Sequence, residues 1–385
     1  MNQLVEKEKP FNHSMDRNKA ASRIIQLDGL RGIAILVVVM YHFVGLALQS
    51  RGVESLNVVE KVIMYTALVG WCGVDLFFVL SGFLIGSILL RSRNSDNFFK
   101  TFYLRRFFRI VPICYALFII FIILRLTPIY HPSVEIFEKD RIPIICYFFF
   151  VQNIAMGLYK TFGPLSIGVT WSLAVEEQFY LIIPLIIYYI NPKYYKYVIA
   201  IGLLMAPVST LLLPNFYQHY TWLVCRINSP MIGFMIALLI QKEAFRSFVK
   251  RHLTWFFLSS ALLLLITALG HAYTKLGFIN HTLSGINFGM ILLIALSIEK
   301  GFWFRLLTSP FLLFMGKISY FFYLYHLTIN GLLHLLVLHK DIPVLDNWNA
   351  VLVTLLAFLL TTGLGVLSFK YIEDPLIRYS HRFKY

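Results

Sequence analysis

Apolar runs of about 20 residues, separated by short basic loops, recur along the whole 385-residue chain. Nothing constrains its fold more. About 20 mainly apolar residues let a helix cross the hydrocarbon core of a bilayer. In lipid, a helix also satisfies its backbone polar groups internally. Candidate spans are 32–48, 71–90, 110–126, 170–190, 197–213, 222–241, 253–270, 282–298, 312–337 and 349–369, and a shorter apolar stretch lies at 142–157. Composition agrees. Hydrophobic residues make up 58% and charged residues 14%, with a mean hydropathy of +0.72. Soluble proteins run near ~45–50% apolar and ~25% charged. A soluble enzyme, a disordered chain and a secreted disulfide scaffold are excluded. The expected fold class is an all-α polytopic membrane protein with about ten transmembrane helices.

The chain carries 34 Lys+Arg against 19 Asp+Glu, a net charge of +15. Lys and Arg near span ends favour the cytoplasmic side. With 142–157 re-entrant or interfacial rather than crossing, the N-terminus, loops 91–109, 191–196, 242–251 and 299–305 and the C-terminal tail face the cytoplasm. These segments hold the whole basic excess, and the opposite loops sum to zero. Both termini are then cytoplasmic. The expected organisation is a cytoplasmic N-terminal segment (1–31), a transmembrane domain (32–370) and a cytoplasmic tail (371–385). The charge marks topology rather than a nucleic-acid partner. No A-x-A-like cleavage site follows the first apolar run, which reads as an uncleaved signal-anchor. The four cysteines, Cys72, Cys114, Cys146 and Cys225, form no CxxC pair and suggest neither a metal site nor a disulfide framework.

Ionisable side chains inside spans are costly and mark function or pairing. Arg31 and His42 lie 11 positions apart. At about 100° and 1.5 Å per residue they share a helix face, about 16 Å apart along the axis. His42 is either a packing residue or a catalytic base. Asp75, in GVDLFFVLSGFLIG, falls at a similar depth. It either holds one imidazole nitrogen of His42, or pairs with Arg226, or caps the outer end of its span. Ser172, Glu176 and Tyr180 recur every fourth residue on one polar helix face. Glu176 reaches the same depth, so His42, Asp75 and Glu176 suggest one buried polar site, or else a hydrogen-bonded knot between helices. The segment 91–112 sets six Lys/Arg against one Asp, with Arg105, Arg106 and Arg109 beside aromatics. That pattern suits topology and anionic lipid, or a phosphate-rich ligand carrying an adenine ring. His326, in GKISYFFYLYH, reads as a packing residue more readily than as a cavity residue.

With these motifs in view, the chain resembles the acyltransferase-3 family of integral membrane O-acyltransferases. The matching stretches, in order, are LDGLRGIAILVVVMYH, GVDLFFVLSGFLIG, FYLRRFFRIVP, WSLAVEEQFYLIIP, GKISYFFYLYH and YIEDP, spanning residues 27 to 375. Longer members carry an appended extracytoplasmic hydrolase-like domain, which is not expected here. The resemblance implies transfer of an acyl group, usually acetyl, from cytoplasmic acyl-CoA to a hydroxyl. The acceptor is commonly a carbohydrate such as a surface polysaccharide, lipopolysaccharide or exopolysaccharide, or a glycolipid. Arg31 and His42 match the family's first-span arginine and histidine. Arg105, Arg106 and Arg109 match its donor-binding basic motif, and Glu176 the acidic residue of its Trp-Ser-Leu motif. The catalytic candidates are therefore His42, Glu176 and Asp75, and the donor-binding candidates Arg31, Arg105, Arg106 and Arg109. Acetyl-CoA enters as donor substrate, with no bound cofactor and no metal. Other readings are acylation of a macrolide-like small molecule and, in a different class, a glycolipid or solute transporter.

Overall fold

A computed structural model describes residues 24–385 except 132–133, 135, 138–140 and 273–276. The first 23 residues of the expected N-terminal segment lie outside it. The described residues form helices and no strand. The principal helices are α1 (Ile25–Gln49), α2 (Val58–Ser92), α3 (Phe98–Arg125), α4 (Leu165–Tyr189), α5 (Pro192–Leu212), α6 (Asn228–Leu239), α7 (Leu253–Ala272), α8 (Gly277–Ser297), α9 (Pro310–Leu338) and α10 (Trp348–Ser380). The chain is a multi-pass membrane protein. Eight of its described helices are long and apolar enough to cross a bilayer, and a ninth counts if Glu243–Arg251 and Leu253–Leu269 of α7, bent by 71°, form one span.

The sixth expected span, 222–241, is not one straight helix. It is a one-turn helix, Leu223–Arg226, followed by α6, whose 12 residues rise only about 18 Å. The interruption lies where Arg226, Asn228 and Ser229 are drawn into the core. Hydropathy registers the apolar residues around these groups but not the buried partners that bend the backbone. The stretch 142–157 does not cross either. It contains the short helices Ile144–Phe148 and Gln152–Tyr159, of about 8 and 12 Å. Helix α1 starts at Ile25 and α10 runs to Ser380, so both pass the expected boundaries at 32 and 370.

Two backbone-to-backbone crossings organise the bundle. Helices α1 and α9 run parallel. They touch at Gly32, where a methyl group would strike the Leu312 carbonyl, and at Gly316, where it would strike the Asp28 carbonyl. Helices α2 and α6 meet likewise, Gly82 against the Pro230 carbonyl and Gly233 against the Val79 carbonyl. Small residues of this kind let membrane helices approach closely. Gly82→Val therefore forces α2 off α6. The expected loss is at least the ~1–3 kcal/mol of an overpacked core, read as a lower unfolding temperature of the detergent-solubilised protein. An unchanged midpoint would show that this crossing is not tight.

Helix α1 changes its winding at Tyr41–Leu46, which forms a π-helical turn. Such turns insert one residue into an α-helix and cluster at functional sites. His42 is its second residue.

Candidate active site

The polar groups expected to form one site are divided: Glu176 lines one cavity, His42 lines a chamber and a groove, and Asp75 sits in a separate ion-pair cluster. The first cavity, of about 120 Å³, is walled by Arg31, Arg106, Arg109, Glu176, Tyr180, Ser81, Ser172, Tyr320 and Tyr323, among others. Arg106 and Arg109 reach it from one face of α3, three residues apart. The expected face of α4, Ser172–Glu176–Tyr180, points into it intact. Tyr180 donates to Glu176 Oε2 at 3.3 Å, and Ser81 is hydrogen-bonded to the same phenol. The Arg106 guanidinium lies 5.8 Å over the Tyr180 ring. Arg31 has Asp28 at 3.4 Å. Three guanidinium groups thus meet in one cavity whose wall contains a single carboxylate, Glu176. Buried charge needs a partner, and arginine binds phosphate by charge-assisted hydrogen bonds. Three cationic groups against one carboxylate give the cavity a net positive lining.

Arg105 does not belong to this set. Its Nε and Nη2 donate to the Phe383 carbonyl at 3.1 and 2.7 Å, and its guanidinium lies 5.1 Å from the Tyr385 ring. It is turned about 100° around the helix from Arg106 but only about 40° from Arg109, so these contacts with the C-terminal segment, rather than helical register, keep it out of the cavity.

His42 lines two further spaces. One is a small chamber that it shares with Tyr41, Val74, Trp171, Tyr220 and Tyr323. The other is a groove of about 600 Å³ that adds Tyr159, Lys160, Phe162, Tyr217 and Arg141. Val74 and Tyr323 belong to both the cationic cavity and the chamber, so the two abut. The Tyr323 hydroxyl is fixed there by Ser172 Oγ at 2.6 Å and by the Val169 carbonyl at 3.1 Å. His42 therefore stands between the groove and the cationic cavity.

Neither expected carboxylate orients His42. Glu176 faces the arginines. Asp75 is fully buried and its Oδ1 accepts from Arg226 Nη2 at 3.1 Å and from Ser229 Oγ at 3.0 Å. His281 bonds the same Arg226, whose guanidinium is enclosed by Trp171, Tyr220 and Phe78 at 5.3, 5.3 and 5.7 Å. Of the two partners open to Asp75 in the sequence, Arg226 has it. The side-chain partner of His42 is His326 on α9: His42 Nδ1 and His326 Nε2 lie 3.0 Å apart, and the His42 ring also bonds the Val38 carbonyl one turn back on α1. Mid-span position and the motif GKISYFFYLYH are the only sequence signals that marked His326. Among the described residues, no three His, Cys, Asp or Glu side chains cluster to hold a metal ion.

A multi-pass helical bundle in which a cavity lined by three arginines adjoins a histidine-lined chamber is an integral membrane protein with a polar site between its helices. The family model described as "Acyltransferase domain" matches residues 24–370, and the chain belongs to that family, the acyltransferase-3 family. It is 29% identical over 393 residues to the peptidoglycan O-acetyltransferase OatA of Listeria monocytogenes, covering 94% of this chain and 57% of the relative. It is 26% identical over 378 residues to the O-acetyltransferase OatA of Staphylococcus aureus, covering 91% of this chain and 56% of the relative. The chain thus spans a little over half the length of these bacterial relatives. No solved structure matches it.

Proposed function

We propose that the chain is a bacterial membrane O-acyltransferase that moves an acetyl group from acetyl-CoA to a hydroxyl of a cell-surface carbohydrate. One observation carries this reading: the arginine cavity and the His42 chamber share Val74 and Tyr323 as a common wall. A donor with a phosphate-rich head and a reactive tail fits that pairing. The CoA phosphates would bind Arg31, Arg106 and Arg109 on the cytoplasmic side, where the basic loops 91–109 and 242–251 are assigned. The pantetheine arm would bring the thioester past Tyr323 towards His42, about 16 Å along α1 from Arg31. The groove on the other side of His42, rich in aromatic rings, would receive the sugar. Relatives named for peptidoglycan O-acetylation make a cell-wall glycan the favoured acceptor.

The chemistry follows from a neutral imidazole acting as general base. His42 takes the proton of the acceptor hydroxyl as its oxygen bonds to the acetyl carbon. The carbon–sulfur bond breaks, and the leaving sulfur receives the proton from the imidazolium. The products are an ester and free CoA thiol. Glu176, bonded to Tyr180, would set the arginine cluster rather than touch the reacting atoms. The segments 1–31 and 371–385 are assigned to the cytoplasm with the donor.

The test is incorporation of labelled acetyl from acetyl-CoA into cell-wall glycan by the protein in proteoliposomes. A solute carrier would leave the label unincorporated. In the same assay, Arg106→Gln with Arg109→Gln should raise the KM for acetyl-CoA by roughly 10-fold or more, since hydrogen bonds to charged groups contribute about 1.5–3 kcal/mol each. Arg105→Gln should leave that KM little changed. Equal effects at positions 105 and 106 would remove the distinction between the two arginines.

A further inference from the structure

We infer that His326 is a positioning residue that fixes the tautomer of His42, leaving the basic lone pair on Nε2; this rests on His42 acting as the base. His326 Nδ1 lies 3.1 Å from the Phe322 carbonyl and 2.8 Å from the Tyr323 carbonyl. Carbonyl oxygens only accept, so this nitrogen carries the proton. In a neutral ring the other nitrogen, Nε2, is then bare and can only accept. Its neighbour at 3.0 Å is His42 Nδ1, which must donate. This contact holds His42 as the Nδ1–H tautomer, alongside the bond of its ring to the Val38 carbonyl.

The pair is neutral because neither ring bonds a carboxylate among the described residues, and an unpaired charge on the fully buried His326 would be costly. In the Ser-His-Asp arrangement a carboxylate accepts from Nδ1–H and holds the base in its working tautomer. Here the bare nitrogen of a second imidazole supplies the acceptor, and backbone carbonyls of α9 fix that imidazole in turn. The rings sit 4.9 Å apart at 50°, so the contact is directional and not a stack. Because Tyr323 both supplies one of these carbonyls and walls the chamber, the element that separates the cavities also sets the orientation of the base.

Two substitutions separate positioning from packing. His326→Gln keeps an acceptor oxygen near the place of Nε2, whereas His326→Phe keeps ring volume and removes the acceptor. In proteoliposomes with labelled acetyl-CoA and cell-wall glycan, the Phe variant should lose about 100-fold in kcat, within the range of a general base, with the KM for acetyl-CoA unchanged. The Gln variant should recover most of that loss. A Phe variant with wild-type kcat, or a folded Gln variant as poor as Phe, overturns the inference. An activity-independent measurement is nitrogen NMR of histidine-labelled protein, with His42 assigned from a His42→Gln sample. A pyrrole-type signal on Nδ1 and a pyridine-type signal on Nε2 are expected, and the reverse assignment overturns the proposal. If His42→Ala retains transfer, the reading of His42 as base fails instead, while the NMR result still decides the tautomer.

Discussion

Replacing His42 with alanine should reduce kcat by about 10²–10⁴, the contribution of a positioned general base. The protein should still reach the membrane and still bind acetyl-CoA. The reasoning starts from position. His42 is the ionisable side chain shared by the chamber and the groove that also has a bonded nitrogen partner on another helix. The arginines lie in the adjoining cavity, so on the proposed reading donor affinity rests on groups that the substitution does not touch. A large fall in kcat with an unchanged KM is the signature of an interaction made in the transition state. The measurement is labelled acetyl incorporation, normalised to the amount of protein in the membrane. His42→Gln serves as control for the altered volume in the π-helical turn, since it fills the space without a basic nitrogen. Wild-type turnover in either variant would remove His42 from the chemistry.

Arg226→Leu should have the largest effect on stability. Arg226 and Asp75 are both fully buried, and they tie α2 to the break before α6. Removing Arg226 leaves the buried Asp75 with the Ser229 hydroxyl and His281 at 3.9 Å but without its guanidinium, and breaking a buried pair in this way costs about 3–5 kcal/mol. That is a large part of the total stability of an ordinary domain. Little folded protein should be recovered from membranes, and the unfolding temperature in detergent should fall sharply. The double variant Asp75→Leu/Arg226→Leu should recover much of the loss, because apolar replacement of a whole buried pair is often neutral or stabilising. A double-mutant cycle isolates the coupling between the two. If Asp75→Leu and Arg226→Leu add independently, the pair is not the unit described here.

The membrane class, most of the helix positions and one arm of the arginine cluster were readable from residue order. Hydropathy over about 20 residues is a local quantity, so it located the long helices well. It failed at 222–241, where apolar neighbours masked Arg226, Asn228 and Ser229, whose partners lie on other helices. Helical periodicity placed Ser172, Glu176 and Tyr180 on one wall, because spacing along one helix fixes which side chains share a face. Periodicity does not set Arg105 apart, since it lies about 40° around the helix from Arg109 and Arg106 about 60°; its bonds to the Phe383 carbonyl, at the far end of the chain, do. Depth in the membrane was informative about Asp75, but depth does not choose between His42 and Arg226. That choice depends on how helices far apart in sequence pack side by side. His326 is the clearest case. Its bond to His42 joins residues 284 positions apart, and neither helix alone carries any trace of it.

The glycine contact between α1 and α9 has a mechanical consequence. Gly32 precedes His42 by ten residues, and Gly316 precedes His326 by ten. The two parallel helices therefore act as arms of equal length, about 15 Å each, rising from one pinned point to the tips where the imidazoles meet. Tilting one arm by about 4° moves its tip by about 1 Å, enough to break a bond of 3.0 Å. Because the pin is made of backbone, it has no flexible side chains through which the arms could slip. The precision of the histidine contact is thus set partly at the opposite end of the helices, by two residues with no side chain at all.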